Sequence, residues 1–153
     1  MKAIAMGLLL CCAMPAQAAC LGATPLAAAR AWFERHYEFF NDDPAPTRDL
    51  YTAELYRLLQ REYDCTAQGE LCALGADPWL DAQDGEARDP QYTAIGERAV
   101  RVSYRFLLAP SEPAQMRSAT LQFSGASGCW RADDLVGPAG LSFKRTLQDA
   151  YPP

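Results

Sequence analysis

The chain has 153 residues, half of them hydrophobic and 22% charged, and its formal net charge is −5 at pH 7. This length and composition fit one globular domain with a single core and lack the bias of disordered chains. The acidic balance makes nucleic acid and anionic membrane surfaces poor partners, because both would repel the protein.

The first eighteen residues have the pattern of a secretory signal peptide. Lys2 precedes a short apolar run, and residues 15–18 supply the small side chains of an A-x-A cleavage site. The run is too short to span a bilayer as an anchor, and no later stretch is apolar enough to do so. We therefore predict a signal peptide over residues 1–18, a single domain over residues 19–153, and a periplasmic or secreted location.

Four cysteines remain after this cleavage, and an even number in an exported domain predicts two disulfides. Three pairings are possible. We favour Cys65–Cys72 with Cys20–Cys129, since the first pair flanks one short loop. Lipid anchoring through Cys20 is the alternative. It is disfavoured because Gln17 stands where a lipobox has an apolar residue, and because it leaves an odd number of cysteines.

Two helix patterns open the mature chain. Thr24 is the predicted cap of the first helix, whose apolar face extends to Phe40 and which ends before Pro44. Thr47 is the predicted cap of the second helix, which ends near Tyr63. The predicted buried stripe of this second helix consists of Tyr51, Leu55, Leu58 and Leu59.

The middle of the chain is polar. Residues 66–71 have loop composition, and the dipeptide Asp77-Pro78 predicts a short third helix over residues 79–83. Residues 84–90 then have the composition of a polar loop.

From Gln91 onward the apolar period changes from helical to alternating, which predicts strands. The first predicted buried face contains Val100, Val102, Tyr104, Phe106 and Leu108, and the next contains Ala119, Leu121 and Phe123. A hairpin over residues 124–128 leads into a partner strand from Cys129, and Phe143 begins the apolar face of a closing helix. The sequence predicts an α+β fold: two N-terminal helices and a short third helix pack on a curved antiparallel sheet of about four strands, followed by a short C-terminal helix.

The pattern Asp-Pro-aromatic-x-x-Ala-Gln-Asp at residues 77–84 resembles small exported bacterial proteins grouped as domain of unknown function 3828. Residues 49–51 and 130–133 fit the same resemblance, which covers most of the mature chain. It implies a cone-shaped fold similar to that of nuclear transport factor two, whose helices close over a curved sheet. It implies no activity, since none is established for the family. Trp79 departs from the pattern, where Phe is expected.

The same stretch is the candidate surface for a ligand or partner, because helix and strand propensities do not explain its composition. Its candidate residues are Asp77, Trp79, Asp81, Gln83 and Asp84. Clustered carboxylates can bind Ca²⁺, but this spacing differs from that of an EF-hand, and caps and turns account for them. We therefore predict no metal and no cofactor.

A cone-shaped fold could also hold a pocket in which a carboxylate acts as general base beside a tyrosine. The candidate pocket residues are Tyr37, Tyr104 and Asp133, with Asp77 as a second carboxylate. The same residue types occur in ordinary buried polar networks, so no catalytic residue is predicted. His36 is the only histidine, which excludes a His-rich zinc site.

Two hypotheses on function remain. The favoured one is a non-enzymatic exported binding or interaction domain, for example an inhibitor or immunity protein that masks a toxic enzyme. It predicts an exposed acidic surface over residues 77–89 and no deep cavity. The alternative is a domain that binds a small apolar molecule, or an isomerase-like enzyme, which predicts a cavity with a buried carboxylate facing it. The sequence leaves the oligomeric state open.

Overall fold

The computed structural model describes residues 20–126 and 128–152, and the predicted signal peptide lies outside these ranges. In chain order the elements are α1 (Pro25–Arg35), a 3-10 helix (Ala45–Leu50), α2 (Ala53–Ala67), β1 (Glu86–Ala94), β2 (Ala99–Leu107), β3 (Gln115–Ala126), β4 (Cys129–Val136) and α3 (Phe143–Ala150).

The four strands form one open antiparallel sheet in the order β1-β2-β3-β4. Alternate residues of β2 and β3 are buried, as predicted: Val100, Val102, Tyr104, Phe106, Ala119, Leu121 and Phe123. Leu108 was predicted to continue this face, but it lies beyond β2 and is exposed. Helix α1 contacts β1 and β2, while α2 and α3 contact β4. The prediction of an α+β fold with an antiparallel sheet of about four strands and a short C-terminal helix is confirmed.

Aromatic side chains fill the space between the helices and the sheet. Trp32 and Phe39 are both buried, and their rings meet edge to face with centroids 4.9 Å apart. Trp32 makes similar edge contacts with Tyr51 and Phe123. These rings remove a large apolar area from water and leave the interior packed.

The first helix is shorter than predicted. Thr24 caps it, as expected, by accepting a hydrogen bond from the amide of Ala27. It ends at Arg35, because His36 leaves helical geometry and residues 37–40 form turns. The turns bury Phe39 against Trp32, and this aromatic packing outweighs a continued helix in a segment of weak helix formers.

The second helix begins later than predicted. Thr47 is not its cap, since it has non-helical backbone angles within the 3-10 helix. The cap is Thr52, and the helix runs past Tyr63 to Ala67. Tyr51 is extended and pairs in parallel with Ala132 at the outer edge of β4. This pairing with the sheet keeps Tyr51 out of the helix.

The predictions of a third helix over residues 79–83 and of a loop over residues 84–90 are both wrong. Residues 77–82 instead form a closed turn, in which Asp77 bridges Ala82. Strand β1 starts at Glu86, inside the predicted loop, and bulges between Arg88 and Gln91. An edge strand tolerates such a bulge and the proline within it, because one side of its backbone has no strand to pair with.

Both predicted disulfides are confirmed. Cys65–Cys72 joins the last turn of α2 to the loop after it, and Cys20–Cys129 joins the N-terminal segment to the start of β4. Within the described ranges, no helix combines the length and the apolar character needed to cross a membrane.

Candidate functional site

The candidate stretch begins with a turn that Asp77 holds closed. The Asp77 amide donates to the carbonyl of Ala82 over 3.0 Å, and the Asp77 carbonyl accepts from the amides of Leu80 and Asp81. The Asp77 carboxylate accepts from the amide of Trp79 through Oδ1 over 2.7 Å. This is the local capping role that an aspartate before a turn commonly has.

Trp79 was a candidate surface residue, but it is wholly buried, with 0% of its area exposed. Its ring stacks on Tyr37, with centroids 5.6 Å apart, and meets Phe33 edge to face at 5.0 Å. Its Nε1 donates to the carbonyl of Tyr37 over 3.0 Å, and its own carbonyl accepts from the Tyr104 hydroxyl. Trp79 therefore closes the interior under the turn and cannot contact a partner directly.

Three of the predicted pocket residues do come together. The Tyr37 hydroxyl donates to Oδ2 of Asp77 over 2.9 Å, and the Tyr104 hydroxyl donates to the carbonyl of Trp79, whose ring stacks on Tyr37. Burial raises the pKa of Asp77, and its hydrogen bonds only partly offset that rise. Burial, followed by the charge of Asp77, raises the pKa of both tyrosines.

Hydrogen bonds hold this cluster in place. Both oxygens of Asp77 accept hydrogen bonds, and Tyr104 is wholly buried with its hydroxyl bound to a carbonyl. A carboxylate has about four acceptor sites, so these two bonds leave Asp77 able to accept further donors. The arrangement matches the buried polar network that the sequence left as an alternative to a catalytic pocket.

Asp133, the fourth predicted pocket residue, does not join this cluster. Its Oδ1 accepts from the Thr52 hydroxyl over 3.0 Å, and its Oδ2 pairs with Lys144 Nζ over 2.8 Å. The cause is a bulge in β4. Gln122 of β3 pairs with Asp134 and Phe123 pairs with Ala132, so Asp133 is the extra residue between them. A bulge inserts one extra residue and redirects its side chain. Asp133 therefore ties β4 to α2 and α3.

The remaining candidate residues stand on the surface. Asp81, Gln83 and Asp84 are all exposed. The Asp81 carboxylate accepts from the amide of Ala139, which links the turn to the segment before α3. Among the described residues, no hydrogen bond or ion pair engages the Asp84 carboxylate.

Farther along, Glu86 and Asp89 are also exposed, and each pairs with an arginine. We call residues 81–89 the acidic surface.

A cleft lies beside the turn, and we call it the Asp77 cleft. It has a volume of about 410 Å³ and opens to solvent. One wall comes from the segment after α1, and the other comes from the segment between the Cys65–Cys72 disulfide and β1. The lining residues are Glu38, Phe40, Asn41, Leu74, Gly75, Ala76, Asp77, Leu80, Gln83 and Gly85.

Sequence reasoning missed Glu62, the residue that fixes one wall of this cleft. Glu62 is 2% exposed, and its carboxylate accepts from the amides of Ala73 and Leu74 and from the Tyr151 hydroxyl. Its spacing from Leu58 and Leu59 on α2 places it on the buried stripe, which was the available signal. A buried carboxylate requires such donors, so it fastens the chain after the disulfide to α2.

The acidic residues do not assemble into a metal site. Nowhere in residues 20–126 and 128–152 do three histidine, cysteine, aspartate or glutamate side chains come close enough to hold a metal ion.

Comparisons of the chain with protein-family models, with curated proteins and with solved structures each find no match. The roles of the site residues therefore rest on their own geometry.

Proposed function

We propose that the protein is an exported binding domain that recognises another protein through the acidic surface and has no catalytic activity of its own. One observation carries this proposal. Trp79 and Tyr104 fill the interior, while Asp81, Gln83 and Asp84 stand outside it. Asp77 holds the turn closed while Asp133 ties β4 to α2 and α3, so the two candidate carboxylates do not converge on one open space.

The isomerase-like alternative needs an open space under the helices with a carboxylate facing it. Trp79, which is wholly buried, occupies that position. The Asp77 cleft is open, but Glu38, Asn41 and Gln83 contribute to its lining, so it is a poor receptor for a small apolar ligand. These facts favour a protein partner.

Charge favours a basic partner. The chain has a net charge of −5, and complementary charge gives an interface both specificity and fast association. An inhibitor or immunity protein that covers the basic cleft of a toxic enzyme would have this character.

Export is part of the proposal. The pattern of residues 1–18 supports a signal peptide, and two disulfides favour an oxidising environment such as the periplasm. The Cys20–Cys129 disulfide also uses the thiol that lipidation would acylate, which supports cleavage after Ala18 over a lipid anchor.

We also propose membership in the family called domain of unknown function 3828, with a cone-like fold similar to that of nuclear transport factor two. The order of helices, antiparallel sheet and closing helix is compatible with that relationship. The turn at Asp77 and the buried Trp79 give the shared sequence pattern a structural reason, since both residues close the interior.

Export is tested by mass spectrometry of the protein recovered from the periplasm of its native host. We expect an N-terminus at Ala19 and both disulfides intact. A protein that retains Lys2, or one that carries lipid on Cys20, would contradict this part of the proposal.

The binding function is tested by placing a photo-crosslinking amino acid at position 84 in the native host. A matched control carries it at position 122, since Gln122 is exposed on β3. We expect irradiation to give one defined protein adduct from position 84 and none from position 122. Adducts from position 122 alone would move the interface to the sheet, and no adduct from either position would refute the proposal.

A further inference from the structure

The Asp77 cleft has apolar walls and acidic groups. Phe40 and Leu74 are half-buried and pack against the core, and Leu80 is buried beneath them. Glu38 and Asp77 provide two carboxylates in the same recess. A long aliphatic stem with a charged end has this combination of properties, because it can bury its methylene groups while its head meets polar atoms.

The negative charge in the cleft is not balanced. None of the described residues that line it is basic. Glu38 and Asp77 lie close enough for the charge of Glu38 to add to the effect of burial and raise the pKa of Asp77. Arg117 approaches the same turn from the sheet, but it donates to the carbonyl of Leu80 and its guanidinium lies over Phe106. A cation entering the cleft would relieve the repulsion between the two carboxylates.

The hydrogen-bonding groups of the cleft are mainly acceptors. The Asn41 amide nitrogen already donates to Glu38 over 3.0 Å, and the Gln83 amide nitrogen donates to the carbonyl of Gly75 over 3.2 Å. Among the described residues, no donor engages Glu38 Oε1 or the side-chain oxygens of Asn41 and Gln83. A matching ligand therefore supplies several donors, as ammonium and guanidinium groups do.

We propose that the Asp77 cleft receives a lysine or arginine side chain of the partner protein, an inference that rests on the proposed function. The stem lies between Phe40 and Leu74, and the cationic head meets Glu38 and Asp77. The volume of about 410 Å³ leaves room for part of the backbone that carries the side chain. The apolar walls favour a side chain over a free cation, which would leave them in water.

The test uses nuclear magnetic resonance titration of the isotopically labelled mature protein with N-acetyl-Gly-Arg-Gly-amide. We expect saturable shifts in the amides of the cleft residues, with a dissociation constant of about 1–10 mM, as befits one ion pair and a short buried stem. The same peptide with citrulline in place of arginine has the same shape without the charge, and it should not bind.

Glu38→Gln is the informative variant, because Glu38 is exposed and its loss should not disturb the fold. It should weaken arginine-peptide binding by about two- to five-fold, the range typical of an exposed ion pair. The matched control is Glu97→Gln, which makes the same charge change in the turn at the other end of the β1–β2 hairpin. It should leave binding unchanged.

Three results would overturn the inference: equal binding of the citrulline peptide, equal weakening by Glu38→Gln and Glu97→Gln, or no shifts in the cleft. Tighter binding of 1,4-diaminobutane than of the peptide would assign the cleft to a free cation instead. None of these results depends on the crosslinking at position 84, so the cleft inference and the proposed binding function can fail separately.

Discussion

The two disulfides close very different lengths of chain, and this difference predicts very different contributions to stability. Cys20 and Cys129 are 109 residues apart, while Cys65 and Cys72 are 7 apart. A cross-link removes conformations from the unfolded chain, and it removes more of them when the closed loop is longer. We therefore expect removal of the Cys20–Cys129 bond to be the more damaging change.

Loop-closure entropy gives about 4.8 kcal/mol for Cys20–Cys129 and about 2.4 kcal/mol for Cys65–Cys72 at 25 °C. Packing in the folded state acts in the same direction. Leu21, next to the first bond, is buried, and its amide donates to the carbonyl of Trp130. The loop closed by the second bond is mostly exposed, and little packing is lost when it opens. The difference between the two bonds is thus at least about 2.4 kcal/mol.

The assay is urea unfolding of two double variants, Cys20→Ala with Cys129→Ala and Cys65→Ala with Cys72→Ala, beside the parent protein. With the usual dependence of unfolding free energy on urea, the first variant should unfold at a concentration about 1–2 M lower than the second. Since domains of this size have only about 5–15 kcal/mol of stability in total, the first variant is expected to be marginal. Equal midpoints, or the reverse order, would refute the loop-entropy reasoning.

Further predictions concern the buried polar groups and the interior tryptophan. Glu62→Gln should lower the free energy of unfolding in urea by about 1–3 kcal/mol, because its amide group would face donors that the carboxylate accepted. Tyr151→Phe removes one of these donors and should lower it by only about 1 kcal/mol. Equal losses for the two variants would contradict this prediction. Tyr37→Phe should raise the pKa of Asp77 further in a carboxyl titration, because it removes a bond to the charged form. Burial raises the pKa of folded Asp77 above its ordinary value of 3.8, so Asp77 stabilises the folded state fully below pH 3.8. This stabilisation is lost as pH rises through the folded pKa. Because the variant raises the folded pKa further, it should lose more unfolding free energy over this rise in pH. Trp79→Ala should lower the free energy of unfolding by about 3–5 kcal/mol, because it leaves a cavity in the core. A loss under about 1 kcal/mol would show that the Trp79 ring does not fill the interior.

Features that neighbouring residues decide were predictable from the sequence. Thr24 caps α1 as its position before a proline indicates, and alternation found the buried faces of β2 and β3. Strand β4 and helix α3 lie where their patterns place them. The disulfide pairing followed from parity and from one short loop. The Cys20–Cys129 pairing follows from Cys65–Cys72 by elimination, and each of the other signals lies within a few residues of the feature that it predicts.

Features that depend on distant parts of the chain were not predictable. Tyr51 has the spacing of a helix residue, but its backbone is drawn into pairing with Ala132 at the far end of the sequence. The bulge that redirects Asp133 depends on how β3 and β4 align, and local composition carries no sign of it. The early start of β1 was hidden because an exposed edge strand with a bulge has the composition of a loop.

In the candidate site, too, local features were predictable from the sequence and long-range contacts were not. The composition of residues 77–84 identified the segment as a candidate site. Tyr37 and Asp77, which are hydrogen-bonded in the structure, were both candidate pocket residues. Whether Trp79 faces the interior or the solvent could not be predicted locally, since the segment around it mixes polar with apolar residues. Phe33 and Tyr37, more than forty residues earlier, provide the aromatic surfaces that draw Trp79 inward.

Three acidic side chains have a consequence for binding, because together they anchor residues 73–81, the segment that leads into the acidic surface. Glu62 holds the chain just after the Cys65–Cys72 bond, Asp77 closes the turn, and Asp81 fastens its end to the segment before α3. A segment held at both ends and in the middle loses little conformational freedom when a partner binds, so more of the contact energy remains as affinity. On the proposed function, Asp77, which has the chemistry of a catalytic pocket, thus acts as a support for the segment that leads into the acidic surface.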